Sequence, residues 1–201
     1  ITINPLPIAY SVTLSGGGSY CAGGSGVDVL LSGSQTGVNY LVYLNGVSTG
    51  VSLAGTGSPL NFGAFTTAGT YTIIATNPST SCMNTMSGSP VLTINPLPTV
   101  FSVTGGGSYC SGGTGVSVGL GNSSIGVSYQ LYDAGAVATG GPVAGTGGAI
   151  SFGLLTAAST YTVVATNATT GCVNNMSGSA TVTIDPLPNV HAVTGGGAYC
   201  V

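Results

Sequence analysis

The sequence predicts an all-β chain folded as tandem antiparallel β-sandwiches. Short runs rich in Val, Ile, Leu, Tyr and Thr are separated by Gly, Ser, Asn and Pro, with Gly alone at 36 of 201 residues, the spacing of strands and turns in all-β proteins. Within the runs apolar residues alternate: Val127, Tyr129 and Leu131 fall on one face and Ser128 and Gln130 on the other. Tyr161, Val163 and Ala165 likewise share a face, and no segment keeps a helical period. The whole pattern then repeats at about ninety residues.

The repeat sets the domain organisation. Asn4–Pro7 and Asn95–Pro98 both read NPLP, Asp185–Pro188 reads DPLP, and the spacings are 91 and 90 residues. GGGSYC ends at Cys21 and Cys110, and GGGAYC ends at Cys200. Between Tyr71–Pro98 and Tyr161–Pro188, 17 of 28 positions are identical. Residues 8–98 and 99–188 are therefore expected to be two full units, each the size of a small domain. Residues 1–7 read as the last strand and linker of a preceding unit, and 189–201 as the start of a third, so the natural protein is expected to be longer. The second unit yields about seven strands: Val100–Thr104, Val116–Leu120, Val127–Tyr132, a weak one near Pro142–Ala144, Ile150–Phe152, Thr160–Thr166 and Ser179–Ile184. The first repeats the order, with Val38–Leu44 and Thr70–Thr76 among its strands.

Composition excludes several functions. The chain has no Lys or Arg, three acids (Asp28, Asp133, Asp185) and one His; charged residues are 1% of it, against about 25% in an average protein. No cation is available to displace counterions from nucleic acid or to meet an anionic membrane. No apolar run reaches the ~18 residues that insertion in a membrane as a helix needs. At 43% hydrophobic residues the chain is too apolar for a disordered polymer.

Five cysteines resolve through the repeat into an early one after the Gly-rich segment and a late one after the Tyr-containing strand. The expected pairs are Cys21–Cys82 and Cys110–Cys172, separated by 61 and 62 residues, one intradomain disulfide per unit, with Cys200 pairing outside the chain. Zinc needs close ligand pairs, and there are none. Closing a loop of that length stabilises by roughly 4 kcal/mol in the entropic view and implies an oxidising, extracellular setting.

Other motifs receive structural readings. Tyr71 and Tyr161 open the penultimate strand as the corner tyrosine does in immunoglobulin-like sandwiches. Pro5, Pro7, Pro96, Pro98, Pro186 and Pro188 make each linker a short, semi-rigid P-x-P. With Asn4, Asn95 and Asp185 offering at most one carboxylate per junction, no calcium is expected there. GGGSY at Gly16–Tyr20 and Gly105–Tyr109 reads as a turn, since a phosphate loop needs a following helix and usually a Lys. His191 stands where Tyr10 and Phe101 stand, and the full units, lacking His, cannot host a Ser–His–Asp triad. Asn122, Asn167 and Asn175 begin N-x-S/T triplets.

The closing segment SGSATVTIDPLP, the opening GGGSYCSGGTGV and the strand YTVVATNATTGC resemble immunoglobulin-like repeats of very large Bacteroidota cell-surface proteins, gliding-motility adhesins among them. The resemblance covers essentially the whole chain. It implies tandem immunoglobulin-like domains, display outside the cell through the type IX route, and no catalytic residues.

The expected function is accordingly non-catalytic, with no cofactor and no metal. The chain reads first as a structural repeat of an extracellular stalk or filament, self-associating through neutral Thr, Ser, Asn and Gly faces. The alternative is an adhesin module binding glycan or a surface, for which Tyr40, Tyr43, Tyr129 and Tyr132 offer aromatic platforms, although most of them read first as core or cross-strand packing. A third, weaker option is ice binding by the pairs Thr70/Thr72, Thr160/Thr162 and Thr181/Thr183.

Overall fold

The computed structural model describes residues 3–201, and the chain divides into two compact units between Leu97 and Pro98. The first unit contains β1 (Val12–Leu14), a 3-10 turn (Ser15–Gly18), β2 (Ser19–Cys21), β3 (Val27–Leu31), β4 (Asn39–Leu44), β5 (Val47–Ala54), β6 (Leu60–Phe65), β7 (Gly69–Thr76), β8 (Met83–Thr85) and β9 (Val91–Asn95). The second contains β10 (Val103–Gly105), β11 (Gly107–Cys110), β12 (Val116–Leu120), β13 (Val127–Tyr132), β14 (Ala138–Ala144), β15 (Ile150–Leu155), β16 (Ser159–Asn167), β17 (Val173–Asn175) and β18 (Ala180–Asp185). Among the described residues there is no α-helix.

Each unit is a two-sheet sandwich. In the first, β1-β3-β6 form one sheet and β2-β9-β7-β4-β5 the other, with β8 also pairing β7. The second repeats this as β10-β12-β15 and β11-β18-β16-β13-β14, with β17 on β16. All pairings between named strands are antiparallel except β2 on β9 and β11 on β18.

The period-two pattern builds the core. Val29 and Leu31 of β3 and Phe62 of β6 face Tyr40 and Val42 of β4 and Tyr71, Ile73 and Ala75 of β7, all buried. Val118, Leu120, Tyr129, Leu131, Tyr161, Val163 and Ala165 do the same in the second unit. A fully buried aliphatic or aromatic side chain contributes about 1.5–3 kcal/mol, so these two layers carry much of each unit's stability.

The units have nine strands, the expected seven and two short additions. One is β2, and β11 in the second unit, inside the Gly-rich segment expected to be a turn. Here Ser19, Tyr20 and Cys21 lie in parallel register with Thr93, Ile94 and Asn95, and Gly107–Cys110 with Val182–Asp185. The ladder bonds come from a strand some seventy residues away, a tertiary partner that overrides the Gly-rich local signal. The other is β8, and β17, a three-residue return along the end of the penultimate strand. The opening segment bridges Ser11 to Ser87 beside one sheet, crosses as β1 to pair β3 in the other, then returns as β2.

Residues 189–201, expected to open a third unit, form no strand, and His191 among them is exposed.

Candidate functional site

The repeated features gather at the two ends of each sandwich. The linker enters at one end. Pro7 is buried, its carbonyl accepts a bond from Asn84 Nδ2 at 2.7 Å, and the Asn4 carbonyl oxygen lies 4.0 Å from Cys82 Sγ. In the second unit Pro98 is buried and accepts from Asn174 Nδ2 at 2.9 Å. Pro5, Pro96, Pro186 and Pro188 are exposed. The linker leaves at the opposite end, where Asn95 pairs with Cys21 and accepts from Ala22 N–H at 2.9 Å. Asp185 pairs with Cys110 and accepts from Ser111 N–H at 2.8 Å.

This geometry corrects the expected disulfides. Cys21 and Cys172 are the disulfide-bonded cysteines, whereas Cys82, Cys110 and Cys200 are free thiols. Neither Cys21–Cys82 nor Cys110–Cys172 is closed. Register gives the reason. β9 meets β7 at Gly69 and runs on past it, carrying Cys21 beyond the start of β7. Cys82 precedes Met83, which pairs with Thr76 at the far end of β7. β7 is eight residues long, so the two cysteines stand at least ~25 Å apart at ~3.3 Å per residue. A disulfide needs Cα atoms within about 7 Å. Cys110 and Cys172 flank the nine-residue β16 in the same way.

The tyrosines act inside the sandwich. The buried Tyr71 hydroxyl donates to the Thr67 carbonyl at 2.7 Å, and Tyr161 to Ala157 at 2.9 Å, the corner geometry of immunoglobulin-like folds. Burial pushes both phenols above their ordinary pKa, with the neighbouring Asp133 and then Tyr109 adding to the effect at Tyr161. Burial raises Tyr40 too, against a lowering bond from the Gln35 backbone. Tyr40 and Tyr129 are fully buried, and their hydroxyl oxygens accept from Gln35 and Ser124 N–H at 2.8 Å. They are core residues rather than platforms; Tyr43 and Tyr132 are half-buried.

Two buried serines were not legible as special. Ser34 Oγ donates to the Ser58 carbonyl at 2.6 Å and Ser123 Oγ to the Gly148 carbonyl at 2.6 Å, tying the loop before β4 or β13 to the loop before β6 or β15. Gly55 and Gly145 make the approach possible, because a Cβ there would lie 1.9 and 2.0 Å from the Gln35 and Ser124 carbonyl oxygens. The linker-binding Asn84 and Asn174 were missed as well, although each stands two residues before a Met at the same place in both repeats.

The second unit also has a groove of about 440 Å³ lined by Tyr132, Asp133, Ala134, Thr160, Thr162 and Asn175. Its one ionisable group besides the Tyr132 phenol is Asp133.

Strand order, the parallel closure of β2 on β9 and the corner tyrosines define each unit as an immunoglobulin-like β-sandwich, a class of structural and binding modules. Residues 98–186 match the family described as "Ig-like domain CHU_C associated", and the first unit carries the same repeated motifs. Among solved structures the chain is similar to the fibronectin(III)-like modules of Clostridium thermocellum CbhA, at 13% identity and a TM-score of 0.43, over 92% of this chain and 100% of that one. It is similar to a chain of the mouse coronavirus receptor-binding domain complexed with its murine receptor, at 12% identity and a TM-score of 0.47, over 88% and 100%. Murine CEACAM1b gives 12% identity and a TM-score of 0.43, over 88% and 100%. No curated protein sequence matches the chain.

Proposed function

We propose that this chain is a non-catalytic segment of an extracellular bacterial stalk or filament, a string of sandwiches joined end to end that associates with copies of itself. The observation that carries the reading is that the linker enters each unit at one end of the sandwich and leaves at the other. Asn84 holds Pro7 at the entry end, while Asn95 pairs with Cys21 beyond the start of β7. A repeat with opposed ends propagates along its long axis, and a P-x-P linker resists folding back. The disulfide-bonded cysteines and the family support a place outside the cell.

Self-association is supported by the surface. Sandwich edges are commonly guarded by Lys, Pro or inward charges. The edge strand β5 reads VSTGVSLA, with no charge and no proline. Neutral Thr, Ser and Gly faces pack together without burying unpaired ions. Static light scattering and negative-stain microscopy of the chain over a concentration series test this. Mass and fibre length rising with concentration are expected; a strict monomer at the highest concentration contradicts it.

The groove beside Tyr132 favours a second reading, an adhesin module. A half-buried aromatic ring, threonine and asparagine side chains and one carboxylate suit a neutral glycan better than a charged ligand. Glycan-array binding lost in Tyr132→Ala would support it, and a silent array would remove it.

A further inference from the structure

We propose that successive units are stapled to each other across every linker, the early cysteine of one unit bonding the late cysteine of the next. Cys82 is then half of a bridge to the early cysteine of a preceding unit, and Cys110 half of a bridge to the late cysteine of a following one. The proposal rests on the tandem reading above.

The argument uses the geometry of each unit by itself. Parallel register sets Cys21 beside Asn95 and Cys110 beside Asp185, at the leaving end. At the entry end Cys82 Sγ lies 4.0 Å from the Asn4 carbonyl oxygen. Asn4, Asn95 and Asp185 are the same position of the repeated linker. In a tandem array that one residue is flanked by the early cysteine of the unit it closes and by the late cysteine of the unit it opens. Neighbouring strands are ~4.8 Å apart, so both sulfurs fall around a single residue, the range a disulfide needs. The partners inside a unit stand at least ~25 Å apart by strand rise and are out of reach.

The oxidation states follow the same rule. Cys21 and Cys172 are an early cysteine and the late cysteine of the next unit, and they are the two that are disulfide-bonded. Cys82 and Cys110, whose counterparts under this rule belong to units outside residues 1–201, are thiols. Cys172 is fully buried while its counterpart Cys82 is only half-buried. Forming each remaining bridge removes two protons and two electrons from a pair of thiols. The acceptor is a disulfide oxidant of the export compartment, reduced to its dithiol by exchange.

Peptide mapping without reduction, after maleimide blocking, tests this on two samples. Pepsin is the protease of choice, because trypsin has no site in this chain and acid suppresses thiol exchange. In the 201-residue chain Cys82 and Cys110 should take the label, and Cys21 and Cys172 should not. In the full protein recovered from the cell surface both labels should disappear. Cys82 and Cys110 should then appear in linked peptides whose partners come from adjoining units. Labelled Cys82 or Cys110 in the full protein would overturn the proposal, as would a linked pair within one unit. The map is independent of shape and self-association: a stapled protein that stays monomeric sinks the filament reading alone, and an unstapled protein that forms fibres sinks this inference alone.

Discussion

In the first unit β4 turns into β5 through Asn45 and Gly46, both left-handed at φ 49° and 80°, the two-residue turn that asparagine–glycine favours. The second unit makes the same connection with one residue more: Tyr43 to Gly55 spans twelve positions and Tyr132 to Gly145 thirteen. Asp133 Oδ1 there accepts from Gly135 and Val137 N–H at 2.9 Å, Ala136 takes φ 57°, and the turn helps wall the groove beside Tyr132. At the ends of the units nothing comparable changes. Asn84 and Asn174 hold the incoming proline alike, and Cys21 and Cys110 keep the same register beside the outgoing residue. The contacts that pass the chain from unit to unit are copied closely, and the copies diverge in the side hairpin and in the connection from β1 to β2, where only the first unit has the 3-10 turn Ser15–Gly18. Connection constrains the ends; the hairpin is free to acquire a surface of its own.

Substitutions sharpen that contrast. The largest effect is expected from Gly55→Ala and Gly145→Ala, whose new Cβ would meet a carbonyl oxygen that is backbone and cannot swing away. Each should cost about 3 kcal/mol, equally in both units, measured by denaturant unfolding. A loss confined to one unit would break the equivalence of the scaffolds.

Next come Tyr71→Phe and Tyr161→Phe. Each leaves a carbonyl without its donor and should cost about 1–2 kcal/mol at neutral pH. The same phenols give a pH signature. Their folded pKa values are raised by burial, so the unfolded chain loses its protons first, near pH 10. Their contribution is intact below about pH 10 and is lost as pH climbs from there through the folded values. The denaturation midpoint should fall between pH 9 and 11, and the double Phe variant should fall less. An equal fall in the variant would contradict the assignment.

The smallest effect concerns the divergent hairpin. Ala136→Gly relieves a left-handed alanine and should stabilise by about 1 kcal/mol. Gly46→Ala should destabilise by a similar amount. Neither should alter the oxidation state of any cysteine, because the hairpin lies away from the ends.

Much of the sandwich was legible because alternation and turn residues are local signals. Val127–Tyr132 reads as a strand from its own six residues, and Tyr161 as a corner from its place in the repeat. The cysteines were not legible in the same way. Spacings of 61 and 62 residues say that two cysteines recur together, yet not which end of a sandwich each occupies. That depends on β2 adding in parallel to β9, a pairing between residues 19–21 and 93–95 that no local pattern encodes. β2 itself was hidden by the glycines around it, and Asn84 by the brevity of β8. The entry and exit ends of the linker became visible only with the register, and with them the reason the intradomain pairs fail.

The proposed filament is tested most directly by static light scattering of the 201-residue chain over a concentration series. A mean mass that climbs with concentration is the result the proposal predicts. A mass fixed at that of one chain up to the highest concentration would contradict it.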